Sequence, residues 1–210
     1  DWSSDVCSSD LYLNVEHKSF LEKEWKAIDS NKNKLSSLLK SEHSVSISNE
    51  WKSKISDPVA DPIGFGLYCE GTLGLDELEL EGKLLFDKQI GKTLFAFNIV
   101  GENEWEAEVN KNDVEMESEM KSEIDFGISH SFNNLFSAGI ELRNANVSKD
   151  GEVEASSLFA GPVFSYNAEN WWTTLTILPQ LMSFKERTNG KLDLIEYERI
   201  ETRLLFSFHL

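Results

Sequence analysis

Charged and apolar residues alternate in three short stretches of this sequence, and these ladders are its best candidates for chemistry. They read "ELELEGK" at 77–83, "ELR" at 141–143 and "RIETR" at 199–203. Two carboxylates on one strand face can act as the acid and the base of a catalyst. Charges enclosed in a protein instead pair with one another, because an unpaired ion is costly to desolvate. The ladders therefore favour structural pairing, with ion conduction as a second role, and they predict no enzyme.

Charges of the same parity on neighbouring segments extend the ladders into a network that is predicted to face the inside of a barrel. We expect the charges at 199–203 to lie within reach of those near 80 and near 142. The predicted inner face carries five cations against nine carboxylates, so any open pore would prefer cations. The network consists of Glu70, Glu79, Glu81, Lys83, Lys121, Glu123, Glu141, Arg143, Arg199, Glu201 and Arg203.

Other patterns that carry chemistry are missing from the sequence. The histidines are scattered without ligand spacing, and Cys69 is the single cysteine beyond residue 11. A cysteine zinc site and a disulfide framework are therefore excluded, and there is no phosphate-binding loop or serine nucleophile motif. The formal net charge of −17 disfavours nucleic acid as a partner, since phosphates need a basic surface. We predict no cofactor and no metal.

Residues 1–11, "DWSSDVCSSDL", differ in character from the rest of the chain. They match, codon for codon, the translation of a common sequencing-library adapter, so we expect them to be non-native. Without Asp1, Asp5 and Asp10 the formal net charge changes from −17 to −14. Residues 12–210 show no interdomain linker and are predicted to form one β-barrel domain that lacks its N-terminal part.

Alternation with a period of two residues recurs along almost the whole chain, and helical periodicity is scarce. In "LFAFNIVGE", for example, Phe95, Phe97 and Ile99 oppose Ala96 and Asn98. About ten such segments have roughly the length of a strand that spans a barrel wall. The predicted fold is all-β, an antiparallel up-and-down transmembrane barrel with about ten strands here of about twelve in the intact protein.

The two faces of these segments predict which side meets water. One face is rich in Phe, Leu and Ile, and the other mixes charges with glycines such as Gly64, Gly139 and Gly161. A narrow barrel filled by polar side chains has such an inner face and places the apolar face in lipid. The alternative is a soluble sandwich or lipocalin-like barrel whose apolar face forms the core. Tryptophans placed near segment ends, as in interfacial girdles, are Trp51, Trp105, Trp171 and Trp172.

The connections give an independent test, because outer-membrane barrels alternate short periplasmic turns with longer outside loops. Counting back from the C-terminus, four of the five outside connections exceed every inside one. The longest also has leucines spaced for a short helix. The expected outside connections are 20–42, 74–76, 103–115, 145–153 and 184–194, and the periplasmic ones are 56–62, 87–92, 130–134 and 167–170.

Several motifs follow one another along the chain: "DPVADPIGFGLYCE", "ELELEGK", "GIELRN", "LFAGPVFSY", "WWTTLTILPQL" and "YERIETR". In this order they resemble those of a family of uncharacterised Gram-negative outer-membrane β-barrel proteins. The resemblance covers about residues 45–210, and it implies a signal peptide, further N-terminal strands and no established activity. One departure is the end, where His209 and Leu210 replace the terminal aromatic residue common in such proteins.

Together these patterns predict a porin-like barrel of the bacterial outer membrane, with a structural or passive channel role and an unknown substrate. No run approaches the ~18 apolar residues of a membrane-spanning helix, so any crossing would be by strands. The predicted partners are outer-membrane lipid, small ions or solutes, and the barrel-assembly machinery. A soluble or periplasmic lipocalin-like binding module is the alternative. An outer-membrane lipid hydrolase or acyltransferase is a third hypothesis, which lacks a Ser/His pair to support it.

Overall fold

The computed structural model describes residues 7–27, 33–75, 77–110, 113–185 and 191–208. All regular elements in these ranges are β-strands, and no helix there is long and apolar enough to cross a membrane. In chain order the strands are β1 (Cys7–Ala27), β2 (Asn33–Ser56), β3 (Gly64–Leu73), β4 (Glu77–Ile90), β5 (Thr93–Asn110), β6 (Asp113–Ser131), β7 (Phe136–Lys149), β8 (Glu152–Asn167), β9 (Trp171–Ser183) and β10 (Ile200–Phe208).

The strands form one sheet in which each strand pairs with its neighbours in sequence, in the order β1 to β10. Every pairing is antiparallel. Nine strands, β2 to β10, curl into a half-barrel, and β1 continues the sheet along β2. Within the described residues no pairing joins β1 to β10, so the sheet is open at both edges. The prediction of an all-β, antiparallel up-and-down fold is confirmed.

The sheet curls toward the face that carries the charged residues. Arg143 on β7 donates a hydrogen bond of 3.1 Å to Glu201 on β10, and Arg203 on β10 donates one to Glu141 on β7. Neighbouring strands lie about 4.8 Å apart, so β7 and β10 would be roughly 14 Å apart in a flat sheet. Side chains that stand perpendicular to a sheet bridge this gap when it bends toward them. The charged face is therefore concave, and the apolar face is convex.

The tight turn between β7 and β8 has the residues that such a turn requires. Asp150 and Gly151, between β7 and β8, have φ angles of 51° and 80°. Two successive positive φ values are typical of a type I′ turn, whose twist matches that of the paired strands. An Asp-Gly pair is among the sequences that adopt this turn most readily. The turn fixes the register in which Lys149 pairs with Glu152.

Most of the long outside connections are strand, which corrects the sequence prediction. β1 and β2 run through most of 20–42, including the predicted short helix. β5 and β6 likewise extend through most of 103–115, and β7 and β8 leave only 150–151 outside the strands. Antiparallel pairing satisfies both backbones without requiring an apolar face. Polar and charged sequence therefore does not end these strands.

The connection between β9 and β10 is longer than the predicted 184–194, because β10 begins only at Ile200. We call its last part, residues 191–199, the cover segment. Two backbone hydrogen bonds tie the cover segment to β9: Ser183 N donates to Lys191 O over 2.7 Å, and Gln180 N donates to Arg199 O over 2.9 Å. These bonds fold the segment back onto the sheet instead of leaving it extended beyond the ends of the strands.

The connection between β2 and β3, residues 57–63, is a structured turn built on "DPVADP". Asp57 accepts hydrogen bonds from the backbone N–H groups of Val59, over 2.8 Å, and Ala60, over 3.0 Å. It also accepts a hydrogen bond from the ammonium of Lys54. The Lys54 bond, together with the two N–H bonds, holds the pKa of Asp57 well below its usual range. Asp57 is therefore ionised at neutral pH, where it bonds the turn to the end of β2.

Candidate functional site

Large apolar side chains cover the convex face and are exposed there. Ile140 is 60% exposed and Ile124 49% exposed, although both lie in the middle of paired strands. Cross-strand pairing aligns these side chains in rows that cross the sheet. The ring centroids of Phe65 and Phe86 are 5.0 Å apart. One row contains Phe65, Phe86, Phe97, Phe126 and Leu142, and the next contains Leu67, Leu84, Ile99 and Ile124.

Aromatic residues gather at the edge of the convex face beside the β8–β9 turn, and we call them the aromatic rim. Trp171 stacks on Phe206 and lies beside Tyr166, with 5.3 Å between ring centroids in each pair. Phe206 and Phe208 meet edge to face at 4.6 Å. Phe132 and Phe136, at the neighbouring β6–β7 turn, stack at 5.8 Å.

The four tryptophans predicted at strand ends occupy different places. Trp171 lies in the aromatic rim, whereas Trp172 has the opposite parity along β9. Trp105 pairs with Leu78 near the β3–β4 turn, at the other end of the sheet. Trp51 lies within β2, away from both edges, and is exposed. Trp105 likewise lies inside β5, so a girdle at strand ends fits Trp171 and describes neither Trp51 nor Trp105.

Toward the β7–β8 turn the apolar part of the convex face gives way to a belt of amides and hydroxyls. Asn146 donates a hydrogen bond of 3.2 Å to the Ser122 carbonyl and accepts one of 2.6 Å from the Ser156 hydroxyl. Asn144 donates to the Ser157 carbonyl over 3.2 Å. On these strands, the apolar surface is thus bordered by the aromatic rim at one end and by this amide belt at the other.

Carboxylates line the concave face of β3 to β6 in cross-strand rows. Glu70, Glu81 and Glu102 are successive partners in one row, and Glu79 and Glu104 are partners in the next. Like charges directly opposite each other destabilise a sheet. These rows cost stability and are repeated on adjacent strands. We infer that the negative charge of the concave face serves a function.

Three lysines offset part of this charge. The Lys121 ammonium lies 2.9 Å from Glu102 and 2.6 Å from Glu104. The Lys83 ammonium lies 2.8 Å from Glu81. The third, Lys149, lies 3.2 Å from a Glu119 carboxylate oxygen. Each lysine thus sits beside at least one carboxylate in a region where acidic residues are more numerous.

Two arginines and three carboxylates form an ion-pair cluster on β6, β7 and β10, which we call the arginine cluster. The Arg143 guanidinium lies 3.0 Å from Glu201 and 3.3 Å from Glu123. Arg203 pairs with Glu141 and, over 3.2 Å, with Glu201. The Arg143 side chain is only 14% exposed. Because a buried charge without a partner is costly to desolvate, these carboxylates stabilise its guanidinium. Glu201 bridges both arginines and holds β10 to β7.

The structure brings most of the predicted network onto the concave face. Glu201 and Arg203 reach the ladder at 141–143, but the charges near 80 pair on their own part of the sheet, as Lys83 does with Glu81. Arg199 departs from the prediction, because it precedes β10 instead of lying in it. It is exposed, and within the described residues it has no ion pair.

Some members of this face were missed by sequence reasoning. Glu104 lies in the continuation of β5 that the sequence analysis assigned to a loop. The alternation of "ENEWEAE" at 102–108 is the signal that could have placed it. Tyr68 donates a hydrogen bond to Glu70, and its parity already put it on the polar face. Tyr197 carries no such signal, because the cover segment has no regular period.

His130 makes its contacts at the β6–β7 turn. His130 shares a hydrogen bond of 2.9 Å with the Thr93 hydroxyl and packs edge to face on Phe132 at 5.3 Å. Among the residues that the structure describes, no group of three or more His, Cys, Asp or Glu side chains could hold a metal ion.

These features define a class of protein: a curled up-and-down β-sheet with a charged concave face and an exposed apolar convex face. The chain belongs to the family of unknown function DUF6662, whose model matches residues 46–210. The match includes β3 to β10 and the second part of β2, which together carry both faces. No curated protein and no solved structure matches the chain.

Proposed function

We propose that the chain forms the wall of a β-barrel in the outer membrane of a Gram-negative bacterium, with a structural or passive channel role. The observation that carries this proposal is the polarity of the curled sheet, apolar and exposed outside, charged inside. A soluble sheet protein buries its apolar face, and large exposed apolar patches mark contact with lipid or protein. Lipid on the convex face would take these side chains out of water.

The borders of the apolar surface support a membrane location. Tyr and Trp concentrate where a bilayer meets water, and the aromatic rim, with Tyr166 and Trp171, fits that position. The amide belt around Asn146 would then lie in the opposite interface, where hydrogen-bonding groups remain hydrated. Because outer-membrane barrels are inserted by a dedicated assembly machinery, that machinery is a proposed partner, along with outer-membrane lipid.

The concave face supports the passage of small cations or cationic solutes. Acidic rows on β3 to β6 outnumber the lysines beside them. In a narrow passage with walls of low dielectric constant, fixed negative charges attract cations and repel anions. The proposed substrates are therefore small positively charged ions or solutes.

The first test is the location and the folded form of the full-length protein. Expressed in a Gram-negative host, it should sediment with outer membranes and migrate differently in gels before and after boiling. A barrel in detergent keeps its strands paired until heated, because no water competes for its backbone hydrogen bonds. The lipocalin-like alternative predicts a soluble protein that folds without detergent, and that result would contradict our proposal.

The second test is ion selectivity in planar bilayers. A Glu79→Gln/Glu81→Gln double variant should lose a large part of its preference for cations, because two wall charges are removed. The effect should be clear at 0.1 M salt, where charges act over about 10 Å, and weak at 1 M, where they act over about 3 Å. Glu152→Gln, an exposed residue beside the β7–β8 turn, is the control and should leave selectivity unchanged. If the cation selectivity did not depend on salt concentration, or if both variants were equally selective, the acidic rows would not be the source of the selectivity.

A further inference from the structure

The cover segment lies on the most buried part of the concave face. Ala145, Phe159 and Leu178 form a buried cluster there, with Phe159 1% and Leu178 0% exposed, and Tyr197 packs against it. The rings of Tyr197 and Phe159 meet edge to face at 5.7 Å. On β3 to β6 most concave residues are only half-buried. The difference in burial shows that the cover segment shields this part of the wall.

Side chains of the wall hold the cover segment in place. Asp193 is fully buried, and its carboxylate accepts a hydrogen bond of 3.2 Å from the backbone N–H of Ile195. The Gln180 amide donates to the Asp193 carbonyl over 3.0 Å and to the Ser157 hydroxyl over 2.8 Å. Gln180 is itself 5% exposed. The segment is thus hydrogen-bonded to β9, and its Tyr197 packs on Phe159 of β8.

The cover segment also adjoins the arginine cluster. The Arg143 guanidinium lies over the Phe159 ring, 5.6 Å from its centroid, and the same ring contacts Tyr197. Tyr197 and Arg143 therefore share one aromatic neighbour on the wall. A solute that moves along the concave face of β7 to β10 would meet the phenol ring and the ion pairs at the same level.

We propose that the cover segment is the constriction of the passage and that Tyr197 sets its width. This inference rests on the proposed channel role and deepens it by naming a residue that determines solute size. Small inorganic cations would pass beside the ring, whereas larger organic cations would be held back. The ring acts through its bulk, because the Tyr197 hydroxyl has no hydrogen-bond partner among the described residues.

The test combines two measurements on the full-length barrel. In a Cys69→Ser background, an Ala145→Cys reporter under the segment measures how fast a membrane-impermeant thiol reagent reaches the wall. Tyr197→Ala should raise this labelling rate about tenfold, since one aromatic contact is lost and local opening becomes easier. It should also raise single-channel conductance and admit tetraethylammonium. Heat-modifiable migration checks that each variant is folded.

Matched variants separate the possible results. Tyr197→Phe keeps the ring and should behave like the parent, and Ile195→Ala, at a residue 77% exposed in the same segment, should also have no effect. An unchanged labelling rate in folded Tyr197→Ala overturns the inference. If bilayers stay silent for every variant while Tyr197→Ala still speeds labelling, the segment covers the wall but the channel role fails, and with it the constriction.

Discussion

An Ile128→Arg variant is expected to be less stable in lipid than the parent barrel by about 2–4 kcal/mol. This is the cost of an arginine on the lipid-facing side of a barrel near the bilayer midplane. Ile128 lies on the convex face of β6 between the amide belt and the aromatic rim and is 36% exposed. Water on that face would make the same change nearly neutral, within about 0.5 kcal/mol. The free energy of unfolding in lipid vesicles, measured by urea titration of tryptophan fluorescence, distinguishes the two environments.

Depth in the membrane provides the control for this prediction. Ser118 lies on the same strand and the same face as Ile128, on the far side of the amide-belt residue Ser122. Ser118→Arg should cost only about 0–1 kcal/mol, because the penalty falls toward the interface. A similar loss in both variants, or no loss in either, would mean that the convex face does not lie in a bilayer.

A Gly161→Ala variant is expected to destabilise the wall by about 1–3 kcal/mol or more, as overpacking does elsewhere. A Cβ atom at Gly161 would lie 1.8 Å from the carbonyl oxygen of Ile177 on β9. The obstacle is backbone, so no side chain can rotate away to make room. β8 and β9 would have to move apart at this point.

Gly82→Ala is the matched control for this change. A Cβ atom at Gly82 would meet nothing within 4 Å, and its cost should stay within about 0.5 kcal/mol. The temperature at which heat-modifiable migration is lost should therefore fall for Gly161→Ala and stay constant for Gly82→Ala. Equal temperatures would show that the close approach of β8 and β9 is not tightly constrained.

Local sequence patterns were enough to predict the strands and their two faces. Alternation depends only on the two-residue repeat of a strand, so segments such as "LFAFNIVGE" reveal their faces without any tertiary information. The ladder at 141–143 and the pair Glu201 and Arg203 follow from the same parity. The hairpin at Asp150 and Gly151 also has a local cause, because an Asp-Gly pair adopts the positive φ angles of a type I′ turn readily.

Composition misled the prediction of strand length, and the cover segment has no local signal at all. Beyond the apolar band a hairpin needs only backbone pairing, so the acidic stretch at 102–108 continues β5 although it has the composition of a loop, and only its alternation indicates a strand. The burial of Tyr197 and Asp193 depends on the curl of the sheet, which brings β7 to β10 around a shared space. A curl is a property of many strands together, and no single segment encodes it.

Because each strand pairs with its neighbours in sequence, the strand order also sets the order in which contacts can form during folding. Hairpins of adjacent strands close short loops, which cost little chain entropy and form quickly. The Arg143–Glu201 and Arg203–Glu141 bonds join residues 58 and 62 positions apart, so they must wait until β10 has been added. Until then the growing sheet lacks these two ties and is free to stay flatter. β10 thus supplies the ion pairs that fix the curvature of the sheet, and it does so after the hairpins have formed.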